Sequence, residues 1–232
     1  MPMSGFPVTL RVRDLRNAGP HAYALNLERD AAELEWQPGQ WASLRLPVGP
    51  HPPLVRAYSF AQPAWVEGPV PLVFDDVPEG VGTQYLKSLL PGDSVEVGAV
   101  AGKFVLPDPL PAGIVFLARF TGVVPVHCIL KELERLGNPP SVTLISGAPT
   151  SGDLVFHEAL TELAERASWF TYHPVSLDGG RDELSVLDKI PHFGHDVVPM
   201  VSGVRAFTQP VRACLMERYG YERRAVRVEN YD

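Results

Sequence analysis

The sequence predicts an antiparallel β-barrel or sandwich followed by a doubly wound α/β domain with a mostly parallel sheet. The first half consists of short β-prone runs, several of them alternating, that are separated by Gly and Pro turns. The second half alternates apolar strand runs with amphipathic helical segments. Three prolines, Pro107, Pro109 and Pro111, lie between the halves, so we expect domains at residues 1–108 and 109–232.

The predicted strands of the first half follow one another closely. In the first strand, Leu10 and Val12 share one face while Arg11 and Arg13 share the other. The later runs are HAYALNLE, QWASLRLP, VRAYSF, PLVFDDV and DSVEVGAV. One helix, GTQYLKSLL, interrupts them, and we expect Thr83 to cap its amino terminus.

The second half predicts strands and helices in turn. The strand runs are GIVFLA, SVTLISG, WFTYHPVSL, VVPMVSG and RAVRVENY. The helical runs are VVPVHCILKELERLG, DLVFHEALTELAERA and TQPVRACLMERYG. We expect the first of these helices to end at Gly137 and the last to carry Pro210 in its first turn.

Composition excludes several classes of protein. The net charge is −7 and neither half is basic, which argues against general binding of nucleic acid. Two cysteines, Cys128 and Cys214, are too few for a disulfide framework or a cysteine-ligated cluster within this chain. No apolar run is long enough to span a bilayer, and the first residues lack the pattern of a signal peptide. We therefore expect a cytoplasmic protein.

Three short motifs carry chemistry. Arg56, Tyr58 and Ser59 in VRAYSF combine a phosphate-binding guanidinium, an aromatic ring and a hydroxyl, a set suited to a flavin nucleotide; an ordinary strand with one solvated arginine is the alternative. Gly80 and Gly82 precede a helix whose amino terminus can receive phosphate, or they form a simple turn.

The third motif, IVFLARFTGVVPV, is a strand, a tight turn and a helix, the place where doubly wound domains bind nucleotides. Thr121 and Gly122 suit that turn. The bulky Arg119 and Phe120 hinder the close approach of a pyrophosphate to the backbone.

In this order, the motifs resemble those of the ferredoxin–NADP reductase superfamily over nearly the whole chain. WQPGQW, RAYS, GVGTQYL, AGKFVLP, FTGVVP, VSGV and VENYD each resemble a motif of that family. The resemblance implies a six-stranded flavin-binding barrel and a nucleotide-binding α/β domain. It also implies an enzyme that passes electrons from NAD(P)H through FAD to a separate acceptor, which is a ferredoxin, a flavodoxin, an oxygenase component or free flavin.

The resemblance also implies roles for individual residues. Ser59, Ser202 and Glu229 are the expected catalytic residues. Ser59 would bond near the reactive flavin nitrogen, Ser202 would lie near the nicotinamide, and Glu229 would close the flavin face. The expected cofactor-binding residues are Arg56, Ala57, Tyr58, Ser59, Gly80, Gly82, Thr83, Thr121, Gly122, Pro125, Gly203 and Tyr231.

The chain departs from the family pattern mainly in its second half. Arg119 and Phe120 stand where the family has two glycines, Ser202 replaces a cysteine, and Pro149 stands where many members have an arginine that favours NADP. The other departure is Ala99-Val100, where the family has Gly-Pro. Flavin binding is therefore better supported than NAD(P)H binding. If a nicotinamide dinucleotide is used, the absence of the arginine slightly favours NADH over NADPH.

Several alternatives stay open. The chain is either a working reductase or a non-catalytic flavin-binding module with a degenerate nicotinamide site, and the flavin is either FAD or FMN. We expect no metal site, since His192 and His195 form a pair without further spaced ligands. Arg223, Arg224 and Arg227 are either a solvated face or a docking patch for an acidic partner.

Overall fold

The fold is described from a computed structural model, which covers residues 8–29, 34–49, 53–177, 183–189 and 196–231. His192 and His195 lie outside these described residues. Among the helices within these ranges, none has the length and apolar character needed to cross a membrane.

Six antiparallel strands form the first sheet, in the spatial order β4-β3-β6-β1-β2-β5. Their bounds are β1 Val8–Gly19, β2 Ala22–Leu27, β3 Trp41–Leu46, β4 Leu54–Ser59, β5 Val70–Asp75 and β6 Ser94–Ala101. Phe60, directly after β4, forms an antiparallel bridge with Leu72 of β5. Because β4 and β5 are the two edges of the sheet, this bridge closes it into a barrel, and the six-stranded barrel is confirmed.

The barrel interior is filled by one face of each strand. Leu10 and Val12 of β1 are buried while Arg11 and Arg13 are exposed, as the alternation predicts. The stacked rings of Trp36 and Phe60, 4.2 Å apart, contribute to the same core.

The helix after β5, α1, spans Val81–Ser88 and begins earlier than predicted. Gly80 is its N-cap residue, and no side chain caps the helix there. The expectation that Thr83 caps the helix is therefore wrong, because Thr83 already lies inside the first turn. Its hydroxyl donates instead to the Asp75 carbonyl oxygen at 3.4 Å, which ties α1 to the end of β5.

The second sheet is parallel throughout and has the order β11-β10-β7-β8-β9. Its strands are β7 Gly113–Arg119, β8 Ser141–Ala148, β9 Phe170–Ser176, β10 Val197–Gly203 and β11 Arg227–Asn230. The three helices are α2 Val123–Leu136, α3 His157–Arg166 and α4 Arg205–Tyr219. Separate apolar clusters cover its two faces, so the doubly wound prediction is confirmed.

The end of α2 lies where its glycine predicts, whereas the start of α4 does not lie where its proline predicts. Gly137 adopts a left-handed conformation, φ 74°, at the end of α2, as predicted. Pro210 lies inside α4 rather than in its first turn, because the helix begins at Arg205, directly after the extended Val204.

The two sheets share one apolar cluster. Ala22, Val73 and Phe104 of the first half pack with Phe116 and Val124 of the second half. The predicted boundary at residue 108 falls between β6 and β7. The division of the chain into separate domains at that point stays a prediction.

Candidate functional site

A cavity of about 450 Å³ opens between the barrel, α1 and the turn that follows β7. Its size is typical of sites for small molecules and cofactors. Predicted site residues from distant parts of the chain line it: Arg56, Ala57, Tyr58, Ser59, Gly80, Gly82, Thr83, Thr121 and Tyr231.

The end of β4 supplies one wall of this cavity. Arg56 is exposed, Tyr58 is half-buried, and Ser59 is buried. The Tyr58 ring lies edge-on to Phe74 with ring centroids 6.0 Å apart. Burial raises the pKa of Tyr58 to about 12, so its hydroxyl keeps its proton and can donate a hydrogen bond. This wall therefore offers a cation, an aromatic ring and hydroxyl groups.

The amino-terminal turn of α1 supplies the opposite wall. A methyl group added to Gly82 would lie 3.2 Å from the Leu46 side chain and 3.3 Å from that of Leu54. The same methyl would lie 3.8 Å from the Tyr58 hydroxyl. Glycine at this position keeps the cavity open beside a helix terminus, whose N–H groups and positive dipole end favour an anion.

Tyr231 and Thr121 border the cavity on its third side. The Tyr231 hydroxyl donates to the Thr121 carbonyl oxygen at 3.3 Å, and its backbone N–H donates to the Gly203 carbonyl oxygen at 3.3 Å. Burial of the hydroxyl end raises the pKa of Tyr231, and a hydrogen bond with Ser59 opposes that rise. The residue as a whole remains 39% exposed, which leaves part of its ring accessible from outside.

Glu229 lies in a smaller adjoining cavity of about 100 Å³, beside Trp41, Ala57, Ser59 and Tyr231. Burial raises the pKa of Glu229 to about 7, although a hydrogen bond with the Trp41 side chain acts in the opposite direction. A carboxyl group with this pKa exchanges protons near neutral pH.

Four other predicted site residues, Gly122, Pro125, Ser202 and Gly203, do not line either cavity. Ser202 is fully buried, and its hydroxyl donates to the Gly122 carbonyl oxygen at 2.7 Å. A methyl group on Gly122 would lie 2.3 Å from the Ser202 carbonyl oxygen. Pro125 is buried in the first turn of α2, and Gly203 ends β10. Gly122 and Ser202 hold the turn after β7 against the end of β10, and a catalytic role for Ser202 stays a prediction.

Asp75 is a residue of the site that the sequence analysis did not predict. This half-buried carboxyl group lines the large cavity and accepts a short hydrogen bond from the Thr121 hydroxyl. Burial raises the pKa of Asp75, while the Thr121 hydrogen bond and the positive charge of Arg119 oppose that rise. Its place at the end of a strand just before a glycine turn was the one available signal.

Several other side chains make structural contacts. His127 Nδ1 lies 2.8 Å from the Ala61 carbonyl oxygen, to which it donates, and burial raises the pKa of Cys128 to about 12. Arg224 pairs with Glu222 at 2.7 Å, and Arg227 Nη1 donates to the Val105 carbonyl oxygen at 2.6 Å. Across the described part of the chain, no three His, Cys, Asp or Glu side chains group as metal ligands.

The residues around the large cavity fit a flavin nucleotide. The Arg56 guanidinium and the amino terminus of α1 suit its phosphates, and the Gly82 position leaves room for them. Tyr58 and Tyr231 suit its aromatic ring, and the Ser59 hydroxyl suits its polar edge.

Comparison with known proteins agrees with this geometry. Residues 9–106 match the family model described as the oxidoreductase FAD-binding domain. Ferredoxin–NADP reductase B of Sorangium cellulosum is 27% identical over an alignment 241 positions long, which covers 97% of this chain and 98% of that protein. These matches support the ferredoxin–NADP reductase superfamily.

Other similar proteins differ from this chain in length or in sequence. The anthranilate 1,2-dioxygenase electron transfer component of Acinetobacter baylyi is 31% identical over a segment that covers 65% of this chain and 43% of that protein. A solved ferredoxin NADP+ reductase of Neisseria gonorrhoeae, with bound FAD and NADP, superposes with a TM-score of 0.83 at 18% identity. That superposition covers 99% of this chain and 100% of the other, and it shows the shared fold.

Proposed function

We propose that this protein is a flavin-dependent reductase that uses NAD(P)H and passes electrons to a separate acceptor. The observation that carries the proposal is the cavity that Arg56, Tyr58 and Ser59 line together with the amino terminus of α1. When bound, the flavin supplies the redox chemistry, accepting a hydride from the dinucleotide and releasing electrons to the acceptor.

The chain's own residues bind and orient the reactants. Arg56 and the α1 terminus would neutralise the flavin phosphates, and Tyr58 and Tyr231 would contact the flavin ring. Ser59 would donate a hydrogen bond to the flavin. Glu229, whose pKa is raised to about 7, would hold a proton at its carboxyl group in the adjoining cavity.

The acceptor is a ferredoxin, a flavodoxin, an oxygenase component or free flavin. The Sorangium and Acinetobacter relatives are a ferredoxin–NADP reductase and a dioxygenase electron transfer component, and both support a protein acceptor. We also propose a cytoplasmic location, which two free cysteines support.

One experiment tests the proposed function directly. The purified chain is reconstituted with FAD, its visible spectrum is recorded, and NADH or NADPH is added without oxygen. Bleaching of the flavin absorbance is the expected result, and the faster donor is the preferred one. Failure to bind FAD or FMN would contradict the proposal.

A matched pair of variants tests the flavin site itself. Arg56→Ala should weaken FAD binding about tenfold or more, because it removes a charged phosphate contact. Arg45→Ala removes an exposed arginine of neighbouring β3 that pairs with Glu96 at 2.9 Å, and it should change FAD affinity little. Calorimetric titration measures both affinities, and equal losses would argue against a specific role for Arg56.

A second candidate function is a flavin-binding module that does not react with NAD(P)H. The observation that favours it is the turn after β7, where Arg119 and Phe120 occupy the expected dinucleotide site and Phe120 has a left-handed backbone, φ 51°. Flavin absorbance that is unchanged by either dinucleotide would support this candidate.

A further inference from the structure

Asp75 places a negative charge in a cavity that suits a negatively charged cofactor. Among the described residues that line the large cavity, Arg56 is the one permanent cation and Asp75 is the one carboxylic acid. The remaining polar side chains of the lining are hydroxyls, which both donate and accept hydrogen bonds. A carboxylate repels the phosphates of a flavin nucleotide, so phosphate binding does not account for Asp75.

Both the backbone and the side chain of Asp75 are held in place at the end of β5. Its carbonyl oxygen accepts hydrogen bonds from the Val77 backbone N–H at 3.1 Å and from the Thr83 hydroxyl at 3.4 Å. Its half-buried carboxyl group accepts a hydrogen bond from the Thr121 hydroxyl. Burial raises the pKa of this carboxyl group, but the Thr121 hydrogen bond and the charge of Arg119 favour its ionised form. The carboxylate is therefore held at a fixed place in the cavity wall.

Neighbours of Asp75 contact both of the tyrosines that suit a flavin ring. Phe74, the preceding residue, lies edge-on to the Tyr58 ring with ring centroids 6.0 Å apart. Thr121, which holds the carboxylate, accepts a hydrogen bond from the Tyr231 hydroxyl at its carbonyl oxygen. Burial raises the pKa of both tyrosines, and the negative charge of Asp75 adds to that rise. The carboxylate therefore lies close to the part of the cavity that suits the ring.

The charge of a flavin ring changes when the ring is reduced. A hydride from NAD(P)H carries two electrons and one proton, so its transfer to a neutral oxidised ring leaves one negative charge there and releases NAD(P)+. A fixed carboxylate nearby repels that new charge, and the repulsion is stronger in a partly desolvated cavity than in water. Such a carboxylate favours the oxidised ring over the reduced one.

We propose that Asp75 lowers the reduction potential of the bound flavin. The inference rests on the proposed function, because it deepens the role of the same flavin site. A lower potential makes the reduced flavin a stronger electron donor to the acceptor, and it weakens the driving force for hydride uptake. Asp75 then balances the two half-reactions without binding either substrate.

A redox titration of the FAD-loaded chain tests the inference without NAD(P)H. The flavin is reduced stepwise with dithionite in the presence of a reference dye, at mildly alkaline pH and without oxygen, and both absorbances are recorded. Asp75→Asn keeps the shape of the side chain and an acceptor for Thr121 but removes the charge. We expect its equilibrium constant for flavin reduction to rise about tenfold, which raises the potential of a two-electron couple by about 30 mV.

Two further variants separate the charge at this place from general effects. Asp76→Asn removes the same charge from the next residue, which pairs with Lys87 at 2.9 Å and is not among the residues that line the large cavity. We expect its equilibrium constant to stay within about twofold of wild type. Asp75→Ser also removes the charge and keeps a hydroxyl acceptor for Thr121, so it should shift the potential in the same direction as Asp75→Asn. Circular dichroism confirms that each variant is folded before titration.

The outcomes distinguish this inference from the proposed function. An unchanged or lower potential in folded, FAD-loaded Asp75→Asn and Asp75→Ser would overturn the inference alone, as would an equal rise in Asp76→Asn. A raised potential in the Asp75 variants of a chain whose flavin is not bleached by NADH or NADPH would support the inference and overturn the reductase. A wild-type chain that holds no flavin would overturn both.

Discussion

Glu229 shows how its surroundings change the chemistry of a single residue. Its pKa is raised from an ordinary value of 4.5 to about 7, because burial penalises the charged form. The folded chain therefore holds this proton more tightly than the unfolded chain. The resulting stabilisation is complete below about pH 4.5 and is lost as the pH rises through 7.

Glu229→Gln should consequently gain stability relative to wild type as the pH rises. We expect the difference in unfolding free energy to shift by about 2 kcal/mol between acidic and mildly alkaline pH, after a discount for partial solvent exposure. Urea unfolding on both sides of neutrality measures it. Glu222→Gln alters an exposed carboxyl group and serves as the control. A difference in unfolding free energy between Glu229→Gln and wild type that does not change with pH would contradict the raised pKa of Glu229.

Phe120 carries backbone strain that a pair of substitutions can isolate. Its φ of 51° is unfavourable for any residue with a Cβ atom, and its ring packs against the shared apolar cluster. Phe120→Ala and Phe120→Gly both remove the ring, but only glycine relieves the backbone. We expect the glycine variant to be the more stable of the two by about 1 kcal/mol. Thermal unfolding of both variants measures this difference in stability. A more stable alanine variant would contradict backbone strain at Phe120.

At the scale of elements, the turn between β1 and β2 contacts a short helical turn that follows β8, Ser151–Asp153. Asp153 is fully buried, accepts from the Thr150 hydroxyl at 2.7 Å and lies 2.8 Å from His21 Nδ1. Burial alone would raise the pKa of Asp153, but these hydrogen bonds outweigh it and lower the pKa below 3.8. The contact joins the barrel to the parallel sheet.

Asp153→Asn should therefore destabilise the chain by about 2–4 kcal/mol at neutral pH, because it removes a buried charged acceptor. A lowered carboxyl pKa gives stability that is present above 3.8 and is lost as the pH falls through the folded-state value. The deficit of the variant should shrink in strong acid. His21→Ala removes an exposed partner and should cost less than about 1 kcal/mol. Urea unfolding measures the stability lost by each variant. Equal losses for Asp153→Asn and His21→Ala would contradict a dominant contribution from the buried carboxylate.

At the scale of the whole molecule, the barrel and the parallel sheet are held together by more than the chain between them. Their shared cluster contains Phe104 and Phe116, with ring centroids 6.4 Å apart. On the surface, Trp65 Nε1 of the barrel donates to Glu132 of α2 at 2.5 Å. Arg135 lies 5.7 Å from the Trp65 ring centroid. The large cavity is lined by residues of both halves.

We expect the two halves to unfold as one cooperative unit, because separation would expose the shared apolar cluster. Hydrogen exchange measured along a urea gradient should show β1–β6 and β7–β11 losing protection at the same concentration. Added FAD should shift both losses together, since it binds only the folded cavity. Two transitions more than about 1 M apart in urea would contradict a single unit.

The sequence by itself determined the order and type of most elements and predicted the main motifs that line the large cavity. Alternation of apolar residues in β1 and the glycine at the end of α2 are local properties, and each follows from side-chain direction or backbone freedom alone. Arg56, Tyr58 and Ser59 stand together in one strand, so their shared chemistry was visible in one line of sequence.

Only the tertiary structure decided which distant groups meet. Asp75 accepts a hydrogen bond from Thr121, which is 46 residues away in the sequence. Glu229 has a raised pKa because it is buried beside Trp41. The start of α1 also depends on tertiary structure, because the Thr83 hydroxyl donates to a carbonyl oxygen at the end of β5 instead of capping the helix. Burial and long-range contacts depend on chain topology, which local propensity does not encode.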